Sequence, residues 1–461
     1  MVFSEILDMA HQRARGSKYS DGDLPPPFFP SAGGPPRSAL LYSRVWDAQK
    51  AFFRSQVMST LTLARRGLNS PASPIRALAA KAQGAVDNGV NVMFMNIGQP
   101  DIETPREMIE AYHRWDESVL AYAPSDGFRD YRQQLADYYN GLLADSGHTV
   151  EADQFLVTVG GSEALLFAIA AVTDPGDSIL VIEPFYTNYA GYANMLGLSV
   201  DAVTTTPADG YHVDLGKVEA AVTSSTRAMV IPSPGNPTGV VLTEEQLDGL
   251  ADICRRHGLF YISDEVYREF VYDVPVGTLA PSILSRPGTE ELAIVVDSVS
   301  KRYSACGARV GCLVTRNKDV HRAALHFAQA RLSPATVDQY AAMAALRTPQ
   351  SYFHDVVKEY TARRNVLVDG LNGIGIECPR PKGAFYLAVA LPVDDADAFA
   401  QWMVSDFSLD GDSLCVAPLA GFYHTPGLGR NEIRMAYVLE QDTLRRCVKV
   451  LEGALAEWSR R

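Results

Sequence analysis

From about residue 90 to the C-terminus, short apolar segments rich in Val and Ile alternate with helix-like segments. Nearly continuous apolar segments are typical of strands that are buried on both faces of a parallel sheet. The pattern therefore predicts an α/β fold with a mostly parallel sheet, in which ligands bind at the carboxyl ends of the strands. The predicted strands are FLVTV at 155–159, SILVIEP at 178–184, AMVIPSP at 228–234, LFYISDE at 259–265 and AIVVDSVS at 293–300.

The length of 461 residues suits two domains with an appendage. The N-terminal part differs from the rest, because a Pro/Gly stretch at 23–36 is followed at 38–66 by apolar residues with helical spacing. We expect an N-terminal extension with one amphipathic helix, a large ligand-binding domain, and a smaller domain built from two separate parts of the chain. The expected boundaries are 1–70 for the extension, 71–110 and 345–461 for the small domain, and 111–344 for the large domain.

The composition argues against several classes of protein. A net charge of −13 disfavours nucleic acid or an anionic membrane as the main partner. The longest apolar run, at 165–172, is far shorter than the roughly 18–20 residues that span a bilayer, and the N-terminal residues lack an apolar signal segment. The six cysteines lack the spacing of a metal site, so we expect reduced thiols, a cytoplasmic protein and no bound metal.

Lys301 directly follows the predicted strand at 293–300, so we expect its amine to point into the crevice at the strand ends. A lysine in such a crevice can act as a nucleophile and as a base. Alone it would carry little weight, because most lysines lie on the surface. Ser298 and Arg309 flank it in the sequence, and a hydroxyl together with a guanidinium suits a phosphate group.

A second feature that suits an anion is the segment VGGSEAL at 159–165. Gly161 and Ser162 lie where a predicted strand gives way to a helix, and the backbone N–H groups at a helix start favour negative charge. Glycine-rich turns are also common for packing reasons alone. Only together with Ser298 and Arg309 does this segment predict a phosphate site.

Four further polar residues lie at or within apolar segments. Asp264 would be costly to bury alone, so it either caps a following helix or pairs with a cation such as a protonated pyridine. Tyr267 and Asn236 could both reach an oxygen on such a ring, although an ordinary Asn-Pro turn also explains Asn236. Arg434 lies in an apolar run and needs either an internal acid or an anionic substrate.

Together these residues resemble the aspartate aminotransferase family, which are class I/II aminotransferases of fold-type I. The resemblance extends from about residue 69 to the C-terminus. Its most specific motif, S-x-S-K-x-x-S-x-x-G-x-R-x-G, is matched at every position around Lys301. The segments NIGQPD, YAPSDGFRDYR, NPTG, DEVY and RMAY follow in the family's order. The resemblance implies a large domain with a mostly parallel sheet, a smaller α/β domain and pyridoxal 5′-phosphate (PLP) as cofactor.

The resemblance also implies a role for each residue around the cofactor. Lys301 would hold PLP as a Schiff base and carry the proton between the substrate and the cofactor. Asp264 would pair with the pyridine nitrogen, and Asn236 and Tyr267 would bind the phenolic oxygen. The phosphate would be held by Gly161, Ser162, Ser298 and Arg309.

The remaining implied roles concern the substrate and a second chain. Tyr186 would stack on the cofactor ring, and Arg434 would bind the substrate α-carboxylate, with Gly98 closing over it. Tyr122 would reach the phosphate of a neighbouring chain, which implies a homodimer with shared active sites. Arg331 is the nearest candidate for reading a second substrate carboxylate, but a structural role suits it better, so a preference for Asp or Glu does not follow.

The predicted reaction is transfer of an amino group between an amino acid and a 2-oxo acid. The same residues would serve other PLP reactions, so elimination, replacement, cyclisation, decarboxylation and oxidase chemistry stay open. A regulator with an N-terminal DNA-binding module is a third alternative. Residues 1–70 argue against it, because they contain a Pro-rich stretch and only nine Lys/Arg against five Asp/Glu.

Overall fold

A computed structural model describes residues 62–461. The predicted Pro/Gly stretch at 23–36 and nearly all of the predicted amphipathic helix at 38–66 lie outside these residues, so both stay predictions. The chain from Arg65 to Arg461 forms a single unit. Within the described residues, no helix is both long enough and apolar enough to cross a membrane.

Strands and α-helices alternate along most of the described chain. The strands are β1 Asn91–Phe94, β2 Phe155–Thr158, β3 Ser178–Glu183, β4 Ser199–Thr204, β5 Thr226–Pro232, β6 Phe260–Asp264, β7 Ala293–Ser298, β8 Gly311–Val314, β9 Tyr386–Ala390, β10 Asp412–Cys415, β11 Ala417–Pro418 and β12 Glu432–Ala436. The helices are α1 Arg65–Leu68, α2 Ala79–Asp87, α3 Arg106–His113, α4 Arg129–Leu142, α5 Gly160–Val172, α6 Asn188–Leu196, α7 Leu215–Ala220, α8 Glu244–His257, α9 Val299–Arg302, α10 Lys318–Arg331, α11 Thr336–Ala345, α12 Gln350–Gly373, α13 Ala396–Ser405 and α14 Gln441–Trp458.

The central sheet has seven strands in the order β2-β8-β7-β6-β5-β3-β4. β8 is antiparallel to both of its neighbours, whereas the neighbouring strands from β7 to β4 are parallel. This arrangement confirms the predicted α/β fold with a mostly parallel sheet. The five predicted strands are present as β2, β3, β5, β6 and β7. The sequence analysis did not identify β4, a half-buried edge strand, or β8, which has four residues.

The strands at the centre of this sheet bury both of their faces. Successive side chains of a strand point to opposite sides of the sheet. In β3, Leu180 packs in the apolar layer that contains α4 and α8, whereas Ile179 and Val181 pack in the layer that contains α5 and α10. Because helices cover both faces, polar side chains that need room for a ligand are left at the strand ends.

Helix α8 shows how local sequence sets these boundaries. Its cap residue Thr243 accepts a hydrogen bond from the backbone N–H of Gln246, and the side chain of Gln246 accepts one from the backbone N–H of Thr243, which together form a capping box. Acidic residues fill its first turn and basic residues its last, as the helix dipole favours. The helix ends at Gly258, whose φ of +66° suits glycine.

Two smaller sheets lie outside the central one. β1 and β10 form a parallel pair, and β11, β12 and β9 form an antiparallel sheet. One apolar cluster packs β1, β9, β10 and β12 against α2, α12, α13 and α14. Its residues come mostly from 78–102 and 352–458. This packing supports a small domain built from two parts of the chain, and the exact boundaries at 71–110 and 345–461 stay predictions.

The six cysteines are all free thiols. Four of them are buried, and burial raises the pKa of Cys254, Cys415 and Cys447 to about 12. A thiol with such a high pKa is a weak nucleophile at neutral pH. These three cysteines therefore act as small apolar side chains of the core.

Candidate active site

Three chemically important side chains follow three neighbouring parallel strands. Asn236 lies four residues after β5, Asp264 is the last residue of β6, and Lys301 lies in α9, directly after β7. Since β5, β6 and β7 are parallel neighbours, their carboxyl ends meet at one edge of the sheet. The structure therefore places these residues in the crevice where the sequence analysis expected them.

The amine of Lys301 is held by residues from distant parts of the chain. Its Nζ donates a hydrogen bond to the backbone oxygen of Gly98 at 2.6 Å, and it lies 3.6 Å from Sγ of Cys306. The ring of Phe385 is centred 5.8 Å from the same nitrogen. Gly98 was expected near the substrate, whereas Cys306 and Phe385 were not identified from the sequence. Lys301 thus lies between the central sheet and the smaller sheets.

Ser298 and Arg309 converge with the start of α5, as predicted for a phosphate site. A side chain at Gly160 would put its Cβ 2.5 Å from Nη2 of Arg309, and a Cβ at Gly161 would lie 3.7 Å from Cβ of Ser298. Gly160 also has a φ of +71°, which disfavours any other residue there. Arg309 donates hydrogen bonds to the backbone oxygen of Cys306 at 3.0 Å and weakly to Oγ of Ser300 at 3.4 Å.

Helix α5 adds unpaired backbone donors to this position. The first N–H groups of an α-helix have no partner within the helix and carry the positive end of its dipole. Ser162 lies in the first turn of this helix. Backbone donors, two serine hydroxyls and a guanidinium thus meet at one place, which fits a phosphate.

Asp264 is buried and only partly satisfied. Its Oδ2 accepts a hydrogen bond from the hydroxyl of Tyr189 at 2.7 Å, whereas its Oδ1 has no hydrogen-bond partner among the described residues. Burial raises the pKa of Asp264 to about 6. A turn and not a helix follows it, so the capping role considered from the sequence is not what the structure shows. An N–H cation beside Oδ1 would satisfy this carboxylate.

Arg434 is buried, and its hydrogen bonds within the described residues go to an amide and a backbone oxygen and not to an acidic side chain. Its Nη1 donates to Oδ1 of Asn236 at 2.9 Å, its Nη2 donates to the backbone oxygen of Asn96, and its Nε has no partner in residues 62–461. Burial lowers the pKa of this guanidinium. The sequence left open whether an internal acid or a ligand pairs with Arg434, and the contacts favour a ligand anion.

Tyr386 joins these residues and was not identified from the sequence. Its hydroxyl hydrogen-bonds with that of Tyr267 at 2.8 Å, and the guanidinium carbon of Arg434 lies 4.5 Å from its ring centre. A Cβ at Gly98 would lie 1.9 Å from the Tyr386 hydroxyl, so only glycine fits there. A lone tyrosine within the apolar run FYLAVA was the available signal, but its neighbours come from distant segments. Tyr189, the partner of Asp264, was missed for the same reason.

The other predicted residues differ in how close they lie to the crevice. The hydroxyl of Tyr186 accepts a hydrogen bond from Asn188 at 2.8 Å, and its ring contacts Tyr189 edge-on at 5.6 Å, so it lies beside Asp264. Tyr122 is 81% exposed in its own chain. Arg331 binds Glu163 at 3.2 Å and the backbone oxygen of Val157 at 3.1 Å, which agrees with the structural role expected for it.

The donor set fits the groups that PLP presents. PLP carries a phosphate, a ring nitrogen and an aldehyde, and the crevice offers a phosphate site, an unpartnered buried carboxylate oxygen and a primary amine. Arg434 supplies a separate cation beside the ring of Tyr386, whose hydroxyl hydrogen-bonds with that of Tyr267. The crevice can therefore bind both a cofactor and a substrate carboxylate.

Comparison with known proteins points to one family. The family model for aminotransferase class I and II matches residues 90–451. A probable aspartate/prephenate aminotransferase of Thermus aquaticus is 30% identical over 400 residues, which cover 85% of this chain and 99% of the relative. The aromatic-amino-acid aminotransferase 2 of Thermococcus litoralis is 30% identical and covers 84% and 96%, respectively. The crystal structure of an aspartate aminotransferase of Thermotoga maritima superposes with a TM-score of 0.77 at 29% identity, covering 86% of this chain and 100% of that chain.

Proposed function

The chain belongs to the aminotransferase class I and II family and is a PLP-dependent aminotransferase of fold-type I, and we propose how its crevice carries out the reaction. The proposal is that an amino group moves between an amino acid and a 2-oxo acid, with Lys301 as the residue that binds the cofactor and transfers the proton. The observation that carries it is the position of the Lys301 amine in one crevice with the unpartnered oxygen of Asp264.

Bound PLP supplies an electron-poor ring that stabilises negative charge at the substrate Cα. Asp264 would hold the proton on the ring nitrogen through its unpartnered Oδ1, while Tyr189 fixes the other carboxylate oxygen. Asn236 and Tyr267 would bind the phenolic oxygen, and Tyr186 would pack on the ring. Gly161, Ser162, Ser298 and Arg309 would hold the phosphate.

Arg434 would bind the substrate α-carboxylate with its two-pronged guanidinium. Asn236 and the backbone of Asn96 already fix this side chain, and the ring of Tyr386 lies against it. Because these groups are buried, the charge pair would form with little competing water, which strengthens it. The substrate Cα would then be held within reach of the Lys301 amine.

Lys301 would carry a proton between the substrate Cα and C4′ of the cofactor. Its Nζ hydrogen-bonds with the backbone oxygen of Gly98, which orients the amine. A base that is fixed next to the substrate can transfer the proton without first diffusing to it. Gly98 thus supports the amine through its carbonyl and leaves room for the Tyr386 hydroxyl.

For the substrate, we propose an aromatic amino acid ahead of a dicarboxylic one. The relatives are named for aspartate, prephenate and aromatic amino acids. Arg331, the candidate reader of a second carboxylate, is engaged by Glu163. Rates with phenylalanine and with aspartate as amino donors would test this preference directly.

We further propose a cytoplasmic homodimer with shared active sites. Val119, Leu120 and Tyr122 are exposed apolar or aromatic residues in one short segment. Ser125 donates a hydrogen bond to the backbone oxygen of Leu332, which is also exposed, and Thr336 donates one to the backbone oxygen of Ala121, so the two segments lie side by side. An apolar patch of this kind marks a protein interface. Tyr122 would then complete the site of the partner subunit. The free thiols support a reducing compartment.

The experiment that tests the reaction uses the purified enzyme with PLP and an amino acid but no 2-oxo acid. Transamination predicts that the visible band of the bound cofactor is lost while one 2-oxo acid is released per active site. Release of ammonia, carbon dioxide or a cyclised product would support the alternative PLP reactions instead. The names of the relatives favour the first outcome.

A further inference from the structure

A buried group of five charged residues lies directly behind the crevice, and we name it the charge cluster. Each member is a close sequence neighbour of a crevice residue: Glu265 follows Asp264, Glu269 comes two residues after Tyr267, Asp297 precedes Ser298, and Arg302 follows Lys301. The fifth member is Arg268. All five are at most 5% exposed. The same turns and strand ends therefore carry crevice residues on one side and charges on the other.

Arg302 joins its own helix, α9, to two other segments of the chain. Its Nε donates to Oε1 of Glu269 and its Nη2 donates to Oδ2 of Asp297, both at 2.5 Å. Arg268 extends the contacts, because it binds Asp297 at 3.2 Å and Glu265 at 2.9 Å. The α9 turn of Lys301 is thus joined to the end of β7 and to the turn after β6.

The ion pairs of the cluster favour the charged forms of Arg302 and Asp297. Burial alone would lower the pKa of the Arg302 guanidinium, but the carboxylates of Asp297 and Glu269 raise it well above its ordinary value. Burial alone would likewise raise the pKa of Asp297, but Arg302 and Arg268 bring it below its ordinary value. Both arginines contact Asp297, so loss of Arg302 leaves this buried carboxylate with one cationic partner fewer.

Helix α9 needs such an anchor. It has four residues, Val299–Arg302, and one turn of helix is not stable by itself. The hydroxyl of Ser298 caps its start by accepting from the backbone N–H of Ser300 at 3.1 Å. At its end, the side chain of Arg302 makes the ion pairs described above.

We propose that Arg302 is a positioning residue that fixes Lys301 relative to the residues that bind the cofactor. Through Asp297 it holds Lys301 to the strand that ends at Ser298, and through Glu269 it holds Lys301 to the turn that carries Tyr267. The inference rests on the proposed function, in which Lys301 binds PLP. It adds that the geometry and the electrostatics of this amine depend on Arg302.

The test is a pH titration of the visible absorbance band of the holoenzyme, with its circular dichroism recorded alongside. The Arg302 and Arg364 variants keep all other titratable or charged groups of the crevice, which are Asp264, Tyr186, Tyr189, Tyr267, Lys301, Cys306, Arg309, Tyr386 and Arg434. They also keep Tyr138, Tyr139 and Tyr303, which face the charge cluster. In Arg302→Gln, the carboxylates left behind Lys301 favour protonation in the crevice. The midpoint of the band should therefore rise by about one pH unit, and the circular dichroism of the band should change because the amine is displaced.

Arg302→Lys keeps the charge but not the two-pronged contact, so a smaller rise and a smaller change in dichroism are expected. This variant also serves if Arg302→Gln does not fold. Arg364→Gln is the matched control, because Arg364 is equally buried and pairs with Asp273 at 2.7 Å without contacting a crevice residue. It should lower the melting temperature and leave both spectroscopic readouts unchanged.

An unchanged midpoint and dichroism in the folded Arg302 variants would overturn the inference. The inference would also be overturned if Arg364→Gln shifted the midpoint as much as Arg302→Gln does, because a general loss of stability would then explain both shifts. Lys301→Ala separates this outcome from failure of the proposed function. If the visible band persists in Lys301→Ala, the role of Lys301 itself is wrong.

Discussion

Asp264 shows how one buried side chain links cofactor binding to stability. Burial raises its pKa to about 6 in the folded protein, whereas an aspartate in an unfolded chain has a pKa of about 3.9. Ionisation is therefore less favourable in the folded state than in the unfolded state. Without cofactor, this group lowers the free energy of unfolding as the pH rises from about 4 to about 6, by up to about 3 kcal/mol.

The first prediction follows from that sign. Cofactor-free Asp264→Asn should be more stable than the cofactor-free parent at pH 7.5 by up to about 3 kcal/mol, and the difference should shrink towards pH 4. Urea unfolding at the two pH values measures it. With PLP present the order should reverse, because the amide cannot neutralise the ring nitrogen's charge. A difference that does not depend on pH would contradict the account.

Arg434 gives a second prediction for a single residue. Arg434→Lys keeps a positive charge but loses the two-pronged contact with a carboxylate, so kcat/KM for the amino acid should fall about 100-fold, which is about 2.7 kcal/mol. Steady-state kinetics measure this loss. The control is Arg331→Lys, because Arg331 binds Glu163 and the backbone of Val157 outside the proposed site. Equal losses in the two variants would exclude Arg434 as the carboxylate-binding residue.

At the scale of secondary-structure elements, the start of α5 carries the phosphate site. Gly160→Ala is expected to weaken PLP binding at least 10-fold, because the new Cβ would lie 2.5 Å from Nη2 of Arg309 and the backbone φ of +71° strains alanine. Equilibrium dialysis of PLP measures this. Gly141→Ala in α4 is the control, since nothing lies within 4 Å of its Cβ. This control variant should gain up to about 1 kcal/mol of stability and bind PLP with unchanged affinity.

The elements also show which parts of the site could be predicted from the sequence. Asn236, Asp264 and Lys301 lie at or just after apolar segments, and parallel strands bring such positions to one edge, so periodicity alone placed them together. Tyr386 and Asn96 could not be found this way. They lie in or beside the smaller sheets and meet the crevice only through tertiary packing, which local periodicity does not encode. The proposed positioning role of Arg302 could not be predicted either, because in the sequence Arg302 is an ordinary polar neighbour of Lys301 and its partners are far apart along the chain.

At the scale of the whole molecule, the exposed segment around Tyr122 predicts assembly. Leu120→Glu should convert the proposed dimer to monomers, because it puts a charge into an apolar interface. Light scattering after size exclusion measures the mass. Val276→Glu is the control, since Val276 is similarly exposed but lies in a different loop. A Leu120→Glu protein that keeps the parental mass would contradict the proposed interface.

Tyr122 links that assembly to the active site. Under the proposal, Tyr122 contributes to the site of the partner subunit, so the monomeric Leu120→Glu protein should also bind PLP more weakly. Fluorescence titration of PLP would show this. Unchanged PLP affinity in a monomer would mean that each chain completes its own site.

The central claim is that Lys301 is the residue that binds the cofactor. The most direct measurement is reduction of the holoenzyme with borohydride, followed by protease digestion and mass spectrometry of the peptides. The account predicts one pyridoxyl-phosphate group per chain, attached to the peptide that contains Lys301. Attachment to another lysine, or a holoenzyme that carries no label after reduction, would contradict it.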